Sequence, residues 1–298
     1  MSTIIQNDNI TQTRRITWIG MFVNIGLSVA KFVLGILGAS QALVADAVHS
    51  LSDLSTDFAV LIGVSYWTKP PDDNHPYGHR RIETLVSAAI GFALFVVAVG
   101  IGYHALATMR DEDIRQPGLI ALAGALLSIV LKEIIYRWTV IIGKRLRSPA
   151  LIANAWHHRT DALSSIPVAI AIAAVALNPQ WAFIDHIGAF VVSLFIIHAS
   201  WSIISPAFSE LVDKGASRDV QDRITKIAMA VEGVESVHAV RTRRMGTILH
   251  IDLHVMVDSE MTVEKGHEIS HDVKRELLEQ GPDVGDVIVH LEPFIAKV

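Results

Sequence analysis

Six long apolar stretches, separated by short polar breaks, run through the first 212 residues of the chain. A helix needs ~20 mostly apolar residues to cross a hydrocarbon core of about 30 Å. Each stretch meets that length, so the pattern predicts an all-α membrane domain, a bundle of six helices. The predicted spans are residues 16–37, 42–66, 83–107, 117–141, 150–177 and 181–205, and Pro206 is expected to end the last one.

The pattern changes after Val212, where charged residues begin to occur throughout. Helical periodicity, strand alternation and a β-branched run then follow one another in the order α-β-β-α-β, at residues 217–231, 234–243, 247–257, 262–279 and 286–291. A small α+β domain has a small core and gains from pairing, so we expect a homodimer. The expected organisation is an N-terminal segment at 1–15, a six-span transmembrane domain at 16–212 and a C-terminal α+β domain at 213–298.

Basic residues fall on alternate breaks between the spans. By the positive-inside rule, both termini therefore lie in the cytoplasm, and we expect a multi-pass protein of the cytoplasmic membrane. On the predicted cytoplasmic side the basic residues are Arg14, Arg15, Lys69, Arg80, Arg81, Lys144, Arg145 and Arg147; on the opposite side, the 108–116 loop has Arg110 and Arg115, which three acids offset. A cleaved signal peptide is the competing interpretation of residues 1–40. We disfavour it because the apolar run is long and contains Asn24 and Lys31.

Composition narrows the classes of function. Hydrophobic residues make up 51% of the 298-residue chain and charged residues 18%, with a mean hydropathy of +0.42. Lys and Arg total 25 against 30 Asp and Glu, giving a net charge of −5, so no nucleic-acid partner is expected. The absence of cysteine excludes disulfides, thiolate catalysis and cysteine zinc ligands. The 14 histidines are unusual in so apolar a chain.

An internal repeat carries the candidate chemistry. The sequence ALVADAVHSLSD at 42–53 returns as ALIANAWHHRTD at 150–161, and each copy holds a His-x-x-x-Asp pair on one helix face. Ionisable groups at membrane depth usually face a bundle interior or a water-filled path. Two imidazoles and two carboxylates form a tetrahedral set suited to zinc, with a charge of −2 that cancels a divalent ion. The four residues are His49, Asp53, His157 and Asp161.

Two alternatives accompany this interpretation. Each pair can be read instead as a buried His–Asp hydrogen bond that only fixes packing. Asp46 and Asp57 lie near the same stripe of the second span, where they would line a path or accept protons; a helix end facing headgroups is the alternative for them.

The loop at 72–79 reads DDNHPYGH and places two acids and two histidines close together. Pro76 and Gly78 favour a turn that brings His75 and His79 near each other, which would suit a divalent ion. A solvated turn is the alternative. In the tail, residues 267–271 match the HExxH motif of zinc proteases. That small domain leaves little room for a substrate cleft, so we interpret the match as coincidental.

The HSLSD and HHRTD motifs, the loop PPDDNHPYGHRRIE and the α-β-β-α-β tail resemble the cation diffusion facilitator family, most of all its bacterial zinc/iron branch of divalent-metal–proton antiporters. The resemblance implies a homodimeric exporter, not an enzyme, with a metallochaperone-like cytoplasmic tail. It places the transport site on the four residues of the repeat. It also implies a loop site on Asp72, His75 and His79, and a charge interlock between Arg81 and Asp213.

In the tail, the resemblance implies a binuclear regulatory site on His238, His254, His267, His290 and Glu292. Glu292 stands where relatives often have Asp. Some members of the family have Asp at the position of His49. This difference in ligand type bears on which metal the site prefers.

The expected function is proton-coupled export of Zn²⁺ from the cytoplasm, with protons as counter-ion and Zn²⁺ also bound for regulation. Membrane lipids and divalent ions are the other expected partners. Export of Fe²⁺, Cd²⁺ or Co²⁺ is the alternative within the family. A membrane metalloprotease and a metal sensor or store that transports nothing are the remote alternatives.

Overall fold

The computed structural model of the chain describes residues 2–109, 116–145, 149–246 and 248–294. Within these ranges, six long helices precede the tail: α1 (Ser2–Leu37), α2 (Gln41–Trp67), α3 (Arg81–Thr108), α4 (Leu119–Arg145), α5 (Pro149–Leu177) and α6 (Phe183–Leu211). A short 3₁₀ turn at Pro179–Trp181 lies before α6. The tail follows as α7 (Arg218–Met229), β1 (Ser236–Met245), β2 (Ile248–Asp258), α8 (Val263–Gln280) and β3 (Val284–Phe294). The predicted class, a membrane helix bundle with an α-β-β-α-β tail, is confirmed.

Among the described residues, α1, α3, α4, α5 and α6 contain segments long and apolar enough to cross a membrane. The remaining long helix, α2, has 27 residues and carries three acids, Asp46, Asp53 and Asp57. The chain separates into two compact units, one of residues 1–61 and 89–202 and the other of residues 62–88 and 203–298.

The first unit has a core of small and branched residues. Alanines from several helices are fully buried there, including Ala42, Ala98, Ala121 and Ala189. Lipid provides no hydrophobic drive for the association of membrane helices, so their association depends on close packing. Small side chains allow that close approach.

The start of α2 is fixed by two side chains. Ser40 caps the helix by accepting from the Leu43 N–H at 3.1 Å, and Asp185 on α6 accepts from the Gln41 N–H at 2.6 Å and the Ser40 hydroxyl at 2.6 Å. These bonds satisfy N–H groups that a helix start leaves unpaired. They thereby position the helix that carries His49.

Pro206 does not end the sixth span, contrary to the prediction: α6 continues to Leu211. A proline removes one helix hydrogen bond, but the ladder resumes beyond it, and the Val212 N–H donates to the Phe208 carbonyl at 3.1 Å. Glu210 in the last turn accepts from the Thr84 hydroxyl at 2.6 Å and the Gly246 N–H at 2.7 Å. These contacts stabilise the extra turn.

In the tail, β1 pairs antiparallel with β2, and β2 pairs parallel with β3 through the α8 crossover. Alternate side chains of β2 are buried against the two tail helices: Leu249, Ile251 and Leu253 share a core with Ile224 of α7 and Val273 of α8. Residues of β2 at even positions therefore lie on the opposite face of the sheet. That face carries histidine side chains.

Candidate metal centres

The His-x-x-x-Asp pair of α5 is formed at the geometry its spacing predicts. Nδ1 of His157 lies 3.8 Å from Oδ1 of Asp161, and the Asp161 side chain is 7% exposed whereas that of His157 is 49% exposed. His49 of α2 lies within electrostatic range of the same carboxylate. The side chain of Asp53, the fourth predicted ligand, lies outside the part of the structure that is described.

Nitrogen atoms around this carboxylate lack partners. Within the described residues, Nδ1 of His49 and both ring nitrogens of His158 are buried without a hydrogen bond. Such atoms are costly unless a ligand satisfies them. An imidazole nitrogen beside a buried carboxylate suits a divalent cation as cargo. His158, which follows His157 directly, was not singled out by its sequence pattern.

Lys132 of α4 was also missed by the sequence. Its Nζ lies 3.0 Å from Oδ2 of Asp161, and its side chain is 2% exposed. The charge of −2 that the sequence analysis gives the site counts only the two carboxylates. It omits the positive charge of Lys132, which contacts Asp161. A lysine inside an apolar run was the available signal, because membrane-buried charges are usually paired. The run alone does not reveal that α4 faces α5.

A second buried ion pair joins α1 and α2. Nζ of Lys31 lies 2.8 Å from Oδ2 of Asp46 and 3.0 Å from the hydroxyls of Ser50 and Ser165, and Ser165 donates to Asp46 at 2.8 Å. Asp46 is fully buried, so its placement at a helix end facing headgroups is wrong. The side chain of Asp57 lies outside the described part of the structure.

The loop residues form a compact cluster in the second unit. Asp72 places Oδ1 at 3.2 Å from Nδ1 of His75 and Oδ2 at 3.4 Å from Nε2 of His79, and the ligand atoms of all three lie within 4.8 Å of one another. Gly78, with φ of +81°, permits the turn that brings the two imidazoles together. The His75 N–H donates to Asp72 at 2.7 Å and lowers the pKa of that carboxyl. Nε2 of His79 faces Asp72, and Nδ1 of the same ring is buried without a hydrogen-bond partner.

The pair implied by the resemblance at the base of the tail is present. The Arg81 guanidinium donates to the Asp213 carboxylate, and both residues belong to the second unit. Asp213 has a φ of 54°, a conformation that short polar side chains adopt more readily than others. The contact ties the start of α3 to the segment that follows α6.

Three histidines form a row across the tail sheet. His238 of β1 is paired in register with His254 of β2, which is paired with His290 of β3. Glu292, two residues further on β3, places its oxygens 3.2 Å from Nε2 of His238, 2.7 Å from Nδ1 of His254 and 3.6 Å from Nε2 of His290. The Glu292 side chain, which is longer than the Asp that relatives often have at this position, thus reaches all three rings.

His267 is not part of this row. It lies on α8, which packs on the opposite face of the sheet, and its ring contacts His271 at a centroid distance of 4.5 Å. Within one chain, the structure therefore does not bring His267 together with His238, His254 and His290. The position of α8 over the sheet, which the sequence pattern does not give, is the physical reason.

The HExxH motif lacks the surroundings of a protease site. Glu268 is paired with Lys265 at 3.1 Å, and in the described part of the tail no third ligand accompanies His267 and His271. A zinc protease needs three protein ligands and a free general base. The match is a coincidence of composition.

One further tail histidine is buried. His250 lies on the same face as His254 and meets the ring of Tyr77 edge to face at a centroid distance of 6.3 Å. Its Nε2 has no hydrogen-bond partner in the described structure. Burial lowers the pKa of His250, while the nearby Asp286 carboxylate opposes this shift. Burial of Asp286 by itself raises the pKa of its carboxyl. The hydrogen bond from Lys274, the backbone hydrogen bond from Val287 and the charge of Lys274 outweigh burial, so the pKa of Asp286 is lowered.

Two family models match the chain. The model described as the cation efflux transmembrane domain matches residues 17–212, and the model ZT_dimer, described as the cytoplasmic domain of cation efflux proteins, matches residues 216–294. The chain therefore belongs to the cation diffusion facilitator family, as its motifs predict. It is a multi-pass membrane protein that exports divalent metal ions, and it is a transporter, not an enzyme.

Several relatives are similar over most of this chain. Metal tolerance protein C1 of Arabidopsis thaliana is 33% identical over 291 residues, which cover 92% of this chain and 61% of the relative. Manganese efflux system protein MneP of Bacillus subtilis is 29% identical over 291 residues, covering 96% and 97%. Magnetosome protein MamM of Magnetospirillum gryphiswaldense is 35% identical over 264 residues, covering 88% and 82%. A solved MamM-CTD structure, 30% identical, covers 27% of this chain and 100% of its own, with a TM-score of 0.26.

Proposed function

We propose that the protein exports Zn²⁺ from the cytoplasm in exchange for protons, through a site formed by His49, Asp53, His157 and Asp161. The observation that carries the proposal is the environment of Asp161, a buried carboxylate near two imidazoles, one of which has an unpartnered buried nitrogen. Buried groups of this kind mark ion pathways in membrane proteins. Two nitrogen ligands favour zinc over manganese, which an oxygen-rich site serves better.

Proton coupling follows from the ligands themselves. Imidazole and carboxylate bind a metal only when deprotonated, so metal and protons compete for the same atoms. Free histidine titrates near pH 6.5, and acid on the far side of the membrane would therefore expel the metal. Alternating access would expose the site to one side and then the other.

Orientation and domain organisation belong to the same proposal. Both termini lie in the cytoplasm, with the transmembrane domain at 16–212 and the tail at 213–298. The loop cluster of Asp72, His75 and His79 faces the cytoplasm and holds a metal ion. His238, His254, His290 and Glu292 hold a regulatory zinc on the sheet.

The test is flux into proteoliposomes for zinc, manganese, iron(II) and cadmium, with wild type and Asp161→Ala. We expect zinc flux in the wild type and a loss of at least about 100-fold in the variant, because the ion loses an opposing charge in a low-dielectric site. Glu133→Ala is the control, since Glu133 is also on a spanning helix but is paired with Arg137 at 2.8 Å. Wild-type flux from Asp161→Ala would refute the site.

The protein is also proposed to be a homodimer, with the tail in the contact. Residues 216–294 match the family model ZT_dimer, whose name refers to dimerisation, and this match supports the assembly. Light scattering in mild detergent should give the mass of two chains, with and without zinc. A monomer under both conditions would contradict the assembly.

A further inference from the structure

Asp161 uses its two oxygens for different partners. Oδ1 faces Nδ1 of His157 at 3.8 Å, whereas Oδ2 lies 3.0 Å from Nζ of Lys132. The Lys132 side chain is buried, and its ammonium donates a hydrogen bond to Asp161. A charged ammonium this deep in a helix bundle is tolerated because the carboxylate neutralises it.

A metal ion at the proposed site would meet this ammonium. Carboxylate oxygens bind zinc at about 2.0–2.2 Å, so an ion held by Asp161 would lie close to a positive charge bound to the same carboxylate. Like charges at such a separation repel each other, and more strongly beside the buried Asp161 carboxylate than in bulk water. The ion and Lys132 therefore compete for Asp161.

The charge balance gives the sign of the effect. Asp53 and Asp161 alone contribute −2, which a divalent ion cancels. With Lys132 included, the empty site carries −1 and the loaded site +1. Lys132 thus stabilises the empty state relative to the loaded state and lowers the affinity for metal.

Lower affinity has a use in transport. A site must bind an ion well enough to take it up and weakly enough to let it go. We propose that Lys132 is a tethered counter-cation of the transport site: it holds Asp161 when the site is empty, competes with the bound ion, and speeds its release. This inference rests on the proposed site at Asp161.

The first unit provides a matched control. Lys31 is buried like Lys132 and is paired with Asp46 at 2.8 Å, but Asp46 is not among the proposed ligands. Removing the Lys31 charge breaks a buried ion pair in the same unit without freeing a ligand carboxylate. Lys31 is also within electrostatic range of Asp161 but does not contact its carboxylate, so the comparison separates a direct contact with the ligand from a longer-range charge effect and a general loss of packing.

The experiment measures zinc flux against zinc concentration in proteoliposomes for wild type, Lys132→Met, Lys132→Gln, Lys132→Arg and Lys31→Met. Loss of the charge in the Met and Gln variants should lower KM at least about tenfold and lower kcat as release slows. Gln keeps a hydrogen bond to Asp161 without the charge, and it serves if the Met variant does not fold. Lys132→Arg keeps the charge and should retain a KM near the wild type, and Lys31→Met should lower KM clearly less than Lys132→Met, because Lys31 does not contact Asp161.

An unchanged or raised KM in Lys132→Met and Lys132→Gln would overturn the inference, since a residue that only positions Asp161 would weaken binding when removed. Asp161→Ala separates this outcome from failure of the proposed function. If that variant loses flux while KM is unchanged in the Lys132 variants, the site stands and the role of Lys132 does not. If Asp161→Ala transports zinc normally, the site itself is wrong.

Discussion

Oε1 of Glu292 lies 2.7 Å from Nδ1 of His254, so a side chain of β3 bonds to β2 on the sheet face opposite α8. Glu292 also reaches the rings of His238 and His290. A carboxylate surrounded by three imidazoles is a set of zinc ligands, and without metal it links the three strands of the sheet.

Glu292→Ala should weaken zinc binding by the tail at least about tenfold, because it removes the acidic ligand. Calorimetric titration of the full-length protein in detergent with zinc should then show one class of binding sites fewer for the variant than for the wild type. Glu279→Ala, on the exposed end of α8, is the control and should leave the titration unchanged. An identical zinc titration for Glu292→Ala and wild type would remove the tail site from the account.

His49→Asp should reduce the preference for zinc over manganese by roughly tenfold, because the ligand set becomes one imidazole and three carboxylates, and oxygen-rich sites suit manganese. The ratio of zinc to manganese flux in proteoliposomes measures this change. His104→Asp, on α3 and outside the proposed site, is the control. A ratio that His49→Asp leaves unaltered would show that His49 does not set selectivity.

The tail sheet should become less stable as the pH falls below about 6.5, the unfolded pKa of histidine. The folded pKa of His250 is lowered, mainly by burial, so the folded state favours the neutral ring. The contribution of His250 to the free energy of unfolding is therefore complete above the pKa of the unfolded state. It is lost as the pH falls towards the pKa of His250 in the folded state. The charged groups around it are Asp286, Arg243, Asp252 and Arg80.

Hydrogen exchange of the β2 amides, corrected for the intrinsic effect of pH, measures this loss in the full-length protein. His250→Asn should flatten the pH dependence of protection. His271→Asn, at an exposed position of α8, should keep it. Equal pH dependence in wild type and His250→Asn would contradict the assignment to His250.

Most of the fold could be predicted from the sequence, because hydropathy fixes spanning helices and alternation fixes the faces of strands. The same alternation predicts that His290 and Glu292 share one face of β3. The sequence did not show that Lys132 contacts Asp161, since that depends on how α4 packs against α5. Nor does the sequence show which side of the sheet α8 covers, because a helix can pack on either side, and this position separates His267 from the histidine row.

Proton-coupled zinc export through Asp161 is measured by recording zinc and protons together in proteoliposomes that contain dyes for both. With an acidic lumen on the side equivalent to the cell exterior, zinc entry should accelerate and protons should leave the lumen as zinc enters. Asp161→Ala should abolish both signals. Zinc entry that moves no protons and does not depend on the pH gradient would contradict proton coupling. Zinc entry that persists in Asp161→Ala would contradict the transport site.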